Sequence, residues 1–385
     1  MNDISRKIFI WGITGLVILR FLMVFLLMNN IPFADIQDNG FRPNFSGSYF
    51  PDEVNYFNLG QSFAKFSPIV NVANLGYPLF LAPIIYLTNA NAPVDITGIV
   101  FIIQAFLFFS LAIVLVALIS LEILKERKLA IFSAFIFTVY PYLMFGILKI
   151  ADFPRFIPAF HYQMWINIAA DYLSAVLVYS GFYLFIKKFN QNNFNLISAA
   201  IIGALISAAA LVRMANILYL PLIFLILIWL KKYRASASFG TVAFLVYLPQ
   251  WIYNFYFLGS PLTYGYRIPS IGFDPGSKII GDWFSFENVF IFFDRIWQNL
   301  PAFIWILPVF ILILAVGFWR LFKQEKHLAV ILGFWILLNI GFYIFFVAAQ
   351  SQLRYFIPSI PPLIILLIFG VYSILKTWQN RSKPL

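Results

Sequence analysis

The chain has 385 residues, of which 62% are hydrophobic and only 11% charged, with a formal net charge of +11. A soluble domain is about 45–50% apolar and about 25% charged, so this chain lacks the polar surface to cover itself in water and belongs in a bilayer. It has no cysteine, two histidines (His161 and His327) and no HExxH, GxGxxG or GxxxxGK[ST] motif, which excludes disulfides, thiolate metal sites and the common phosphate-cradling loops.

The first apolar run, about 8–28, is long enough to span a bilayer and keeps Arg20 inside it. No A-x-A-like cleavage site follows, so it reads as an anchor with Arg6 and Lys7 on the cytoplasmic side. An arginine within a span costs several kcal/mol unless it finds a partner. Arg20 is therefore expected to make an internal pairing or a helix contact.

A long outer loop, about 29–97, comes next. It contains two adjacent carboxylates, Asp52 and Glu53. After them Tyr56, Leu59, Phe63 and Phe66 recur at spacings of three and four, one face of a helix. Asn55, Asn58, Gln61, Ser62 and Lys65 fill the other face, the pattern of an amphipathic helix lying at the membrane surface. Asp52 is placed to cap that helix and Glu53 to favour its dipole. Further on, "GYPLFLAPIIYL" (76–87) is apolar but too short to span and contains two prolines, so it reads as a re-entrant or interfacial piece.

Nine more apolar runs centre on about 98–120, 129–149, 164–186, 194–212, 215–230, 236–256, 299–318, 328–348 and 356–375, giving roughly ten spans in an all-α polytopic protein. A second long outer loop covers about 257–298. With the N-terminus inside, 16 Lys and Arg fall on inner segments, including Lys125, Arg127, Lys128, Lys187, Lys188, Lys231, Lys232 and Arg234. Nine fall on outer segments, among them Lys65, Lys149, Arg155, Arg213, Arg267 and Arg354. That bias sets an orientation with both termini cytoplasmic. It also accounts for the positive charge without nucleic acid. Short inner loops point to a plasma membrane. Neither a soluble domain nor an internal repeat is visible, so 1–385 reads as one integral membrane domain.

The order of these pieces resembles the GT-C glycosyltransferases, in particular the branch with protein O-mannosyltransferases and the lipid A aminoarabinose transferase. "FPDEVNYFNLGQSF" looks like that family's acidic first-loop element, and "GYPLFLAPIIYL" is similar to its "YPPL" segment. "INIAADYLSAVLVYSGFYLF" resembles a span opened by an acid, here Asp171. "GALISAAALVRMANILYLP" resembles an element whose arginine is Arg213. "PQWIYNFYFLGSPLTYG" resembles "P..RN...FG.P", with Tyr253 where arginine is common. "LRYFIPSIPPLIIL" resembles "RY..P..P", with Arg354 as its arginine.

The resemblance implies an inverting transferase that moves a sugar from a polyprenyl-phosphate donor to a glycan, lipid or protein acceptor on the outer face. A carboxylate at the membrane surface would take the acceptor's proton. Asp52 and Glu53 are the candidates, with interchangeable roles, and Asp171 is placed to join them. Fixed cations would stabilise the leaving phosphate, and the guanidinium fork suits its oxygens. Arg213, Arg267 and Arg354 are the candidates. For Asp171 the competing reading is a pairing with a cation such as Lys149 or Arg155; for the arginines it is snorkelling to the headgroup layer. No cofactor is expected, although two or three carboxylates can hold a divalent ion. The alternative function is a transporter or flippase of a lipid-linked or small substrate. Transporters tend to show paired halves and broken helices at the midplane, whereas the polar residues here gather at the outer face.

Overall fold

The computed structural model describes residues 3–28, 51–71, 73–150, 165–262, 286–290, 293, 306–345 and 353–381. No strand occurs among them. The helices are α1 (Asp3–Met28), α2 (Pro51–Ala64), α3 (Gly76–Thr88), α4 (Pro93–Ile102), α5 (Phe109–Leu124), α6 (Arg127–Ile150), α7 (Ala170–Asn190), α8 (Leu196–Val212), α9 (Tyr219–Trp229), α10 (Tyr233–Leu258), α11 (Ile306–Gln324), α12 (Lys326–Ile344) and α13 (Ile360–Arg381). A π-helical turn, Ile103–Phe108, joins α4 to α5, and 3-10 turns precede α9 (Met214–Leu218) and α13 (Leu353–Ser359).

Among the described residues, five helical stretches are long and apolar enough to cross a membrane, as in a multi-pass membrane protein: Lys7–Leu26, Pro93–Leu124, Leu307–Gln324, Lys326–Ile344 and Arg354–Gln379. Their ends follow local chemistry. Pro93 starts α4, and the Asp95 carboxylate accepts from the backbone N–H groups of Asn91 at 2.8 Å and Ala92 at 2.9 Å, donors the first turn leaves free. Asn195 caps α8 by accepting from Ser198 N–H at 2.7 Å.

The core centres on α7. Phe182 stacks on Trp335 of α12, with centroids 3.9 Å apart and planes within 6°, and meets Tyr219 of α9 edge-on at 5.2 Å. Phe109, Phe137, Ile202, Ile206 and Ile365 bring α5, α6, α8 and α13 into the same apolar cluster. Gly203 lets α8 and α10 approach closely: an added Cβ there would lie 2.5 Å from the Phe239 carbonyl oxygen.

A second cluster joins α2 and α3. Tyr56, Phe57 and Leu59 pack with Tyr77, Leu81 and Ile85, and Val212 of α8 joins them. The face expected to lie along the membrane surface thus packs on protein at Tyr56 and Leu59. Phe66, expected on the same face, lies past the helix end with φ of 53° and is exposed. The short "GYPLFLAPIIYL" piece is a single helix whose 13 residues rise about 20 Å, less than a hydrocarbon core.

Arg20 is fully buried. Its Nε donates to the Ala105 carbonyl at 3.3 Å, its Nη1 reaches the Tyr142 hydroxyl at 3.5 Å, and its guanidinium lies 3.9 Å from the Phe109 ring centre. The carbonyl belongs to the π-helical turn. Arg20 is therefore a contact between helices, as the cost of a buried cation demands.

Candidate active site

Asp52 does not occupy the capping position expected of it. Helix α2 begins at Pro51, whose fixed φ suits the first helical position, so Asp52 and Glu53 both lie within the first turn. They face different surroundings. Asp52 is partly exposed and accepts from Arg354 Nη2 at 2.6 Å. Glu53 is 1% exposed. It lies near Tyr77 of α3, whose phenol burial pushes well above its ordinary pKa, a push to which the charge of Glu53 adds.

Asp171 sits at the second position of α7 and is buried. Its carboxylate accepts from Arg213 Nη2 at 2.6 Å. Arg213 is the residue at which α8 ends, with extended backbone at φ −140° and ψ 112°. Burial is the largest single influence and would lower its pKa, but the adjoining Asp171 carboxylate, together with the surrounding Tyr56, Tyr355 and Tyr343, outweighs it and holds the pKa well above its ordinary value, so the guanidinium stays charged.

The two ion pairs meet at one ring. The guanidinium carbons of Arg213 and Arg354 each lie 5.1 Å from the centre of Tyr355, so they are no further apart than twice that distance. Tyr343 of α12 stacks on Tyr355 at 4.8 Å with planes within 22°. The phenol of Tyr56, one helical turn beyond Asp52, is among the electrostatic neighbours of Arg213.

Neighbouring contacts hold this arrangement. Asn216 Nδ2 donates to Ser174 Oγ at 2.6 Å and ties the turn after Arg213 to α7. Gln104 Nε2 donates to the Tyr77 hydroxyl and, at 3.2 Å, to the Ala169 carbonyl two residues before Asp171. The Tyr253 hydroxyl of α10 accepts from Asn71 N–H at 2.9 Å and donates to the Ile69 carbonyl at 2.7 Å, while Gln250 Oε1 accepts from Leu75 N–H at 2.9 Å. Tyr253, which stands where the resemblance expected an arginine, thus fixes the connection from α2 to α3. Gly76 opens α3 against the end of α8: an added Cβ would lie 2.6 Å from Val212 N, one residue before Arg213. Only glycine allows that approach.

Of the six residues singled out in the sequence, four converge: Asp52, Asp171, Arg213 and Arg354. Glu53 occupies a buried position on α2 near Tyr77. Arg267 lies outside the described residues, as do His161, Arg155 and the side chain of Lys149. Arg213 and Arg354, singled out for a phosphate, each hold a carboxylate in this structure. Tyr355, Tyr343 and Asn216 were missed. Tyr355 carried a signal, because it follows Arg354 within the "RY" element. Tyr56 had been read only as an apolar anchor. Among the described residues, no group of three or more His, Cys, Asp or Glu stands close enough to hold a metal ion. No protein-family model matches the chain, and no curated protein matches it.

Proposed function

We propose that this chain is a ten-span membrane glycosyltransferase of the GT-C kind. It would lie in the plasma membrane with both termini cytoplasmic and move a sugar from a polyprenyl-phosphate donor to an acceptor on the outer face. One observation carries the reading. Asp52, Asp171, Arg213 and Arg354 were all assigned to the outer side from sequence alone, and they meet around Tyr355 from four separate segments. Clustered carboxylates and arginines at one end of an apolar bundle supply a base and an anion site at the same depth, which a lipid-anchored sugar phosphate requires.

In this reading Asp52 is the base. It is the more exposed acid of the pair, whereas Glu53 is buried. The acceptor hydroxyl oxygen forms a bond to the sugar C1 as the bond from C1 to the phosphate oxygen breaks on the opposite side. The proton passes to Asp52 and the electron pair stays on the departing polyprenyl phosphate. Arg213 and Arg354 stabilise the charge on that phosphate. Asp171 holds Arg213 in the empty site.

The test uses membranes containing the protein and a panel of radiolabelled polyprenyl-phosphate sugars. Label is expected to move from one donor to an acceptor with the wild type and not with Asp52→Asn. If no donor in a panel of hexoses and pentoses gives transfer, the reading fails.

A further inference from the structure

Each guanidinium that would receive a phosphate already has an anion. Arg213 holds Asp171 and Arg354 holds Asp52, both at 2.6 Å. The four side chains sum to zero charge. A phosphate added to this buried cluster would be uncompensated unless a carboxylate left its arginine or took up a proton. Arg213 also has donor capacity to spare: its Nε is buried without a hydrogen-bond partner among the described residues. A tetrahedral phosphate presents more oxygens than a carboxylate and can reach donors that a single carboxylate oxygen leaves unused.

The contact with Tyr355 is of a different kind. It runs from each guanidinium to the ring, 5.1 Å from its centre, supplemented at Arg354 by a 3.4 Å hydrogen bond from Nη2 to the Tyr355 hydroxyl, and does not involve either carboxylate. An attraction between a cation and a ring face persists when the anion on the cation changes. The ring is itself held, because Tyr343 stacks on it and both rings are buried in one cluster with Ala215.

We propose that Arg213 and Arg354 exchange their carboxylates for a single phosphate-class anion, lipid-borne or free, while Tyr355 keeps both guanidiniums in place. Entry of the anion thereby releases Asp52 and Asp171. The base becomes available only when the donor has arrived, so an empty site does not take a proton from an acceptor. This rests on the reading of the cluster as a phosphate site, but not on transfer taking place.

The test is equilibrium binding to purified protein in detergent micelles, with farnesyl phosphate and inorganic phosphate as separate probes. A competing carboxylate gives a distinctive sign: Asp52→Asn should tighten binding by about tenfold, because the carboxylate no longer has to be displaced from Arg354. Tyr355→Leu should weaken binding by about tenfold, and Tyr355→Phe, which keeps the ring, by no more than about twofold. Preference for farnesyl phosphate assigns the anion to a lipid, and equal binding of the two probes assigns it to free phosphate. If Asp52→Asn fails to fold, Asp171→Asn carries the same expected sign. Weaker or unchanged binding in the Asn variant overturns the exchange, as does absence of binding by the wild type and both Asn variants. Equal losses in the Phe and Leu variants overturn the role of the ring. Anion binding with this pattern but no transfer of any sugar would sink the transferase reading alone.

Discussion

At one end of the bundle, the Arg213 and Arg354 side chains are 14% and 4% exposed and hold carboxylates at 2.6 Å. At the other end, the Lys125 side chain is 55% exposed and sits 3.6 Å from Glu122. That second end gathers the far termini of the same helices. Asn190 of α7 donates to Glu122 at 3.1 Å, and the exposed His327 ring meets Trp229 at 4.9 Å and Phe189 at 6.2 Å. Helix α7 joins the two ends, and its rise from Asp171 to Asn190 is roughly 28 Å, close to the thickness of a hydrocarbon core. Both ends are charged, but by different physics. Lys125 at the second end is largely solvated, so its charge does not depend on a partner. The arginines at the first end are desolvated, so each requires an anion. A cluster that must be filled by internal carboxylates is also one that an external anion can enter.

The most decisive way to break this comparison is to ask whether the two ends face opposite sides of a membrane. The chain has no cysteine, so single thiols can be introduced cleanly. Ser67→Cys, just after α2, should react with a membrane-impermeant thiol reagent in intact cells, and Lys128→Cys, at the start of α6, should not. The reverse pattern inverts the protein and removes the proposed site from the outer face.

Next in size is Asp52→Asn. If Asp52 is the general base, its loss should lower transfer by on the order of 10²–10⁴, with the protein still folded. A helix-start role alone predicts a few tenths of a kcal/mol in stability and normal transfer, because Asn is also well tolerated there. Glu53→Gln should instead show up first as a change in thermal unfolding, since that side chain is buried.

Removing one partner of the deepest pair tests burial directly. Arg213→Leu should cost about 3–5 kcal/mol in unfolding by denaturant, because it leaves Asp171 buried and uncompensated. Adding Asp171→Leu should recover most of that loss. If the double variant is no better than the single, the pair is not what stabilises this end.

Arg354→Lys keeps the charge and loses the two-point geometry. At about 1.5–3 kcal/mol per charge-assisted contact, transfer should fall by about ten- to a hundredfold. The smallest effect belongs to the opposite end. Glu122→Gln should change stability by less than about 1 kcal/mol, as expected for a solvated pair. An effect there as large as that of Arg213→Leu would erase the distinction between the two ends.

The sequence by itself determined the class of molecule and the material of the site. Hydrophobic run lengths are set by local composition, and each of the ten runs overlaps a helix in the structure. The acids and arginines could be singled out because charge is costly in so apolar a chain. What sequence could not supply was pairing. Asp171 meets Arg213 across 42 positions and Asp52 meets Arg354 across 302. Such contacts depend on how each helix is rotated about its axis and how closely it approaches its neighbour, which no local periodicity encodes. The start of α2 moved from Asp52 to Pro51, and that placed Asp52 within the first turn. Arg20 found a carbonyl in a π-helical turn that reads in sequence as ordinary helix. Tyr355 became the centre of the site because α8, α12 and the turn before α13 bring their ends together there. An aromatic residue in a chain with 47 phenylalanines, 20 tyrosines and 10 tryptophans carries no mark of such a role until the tertiary structure sets two guanidiniums against it.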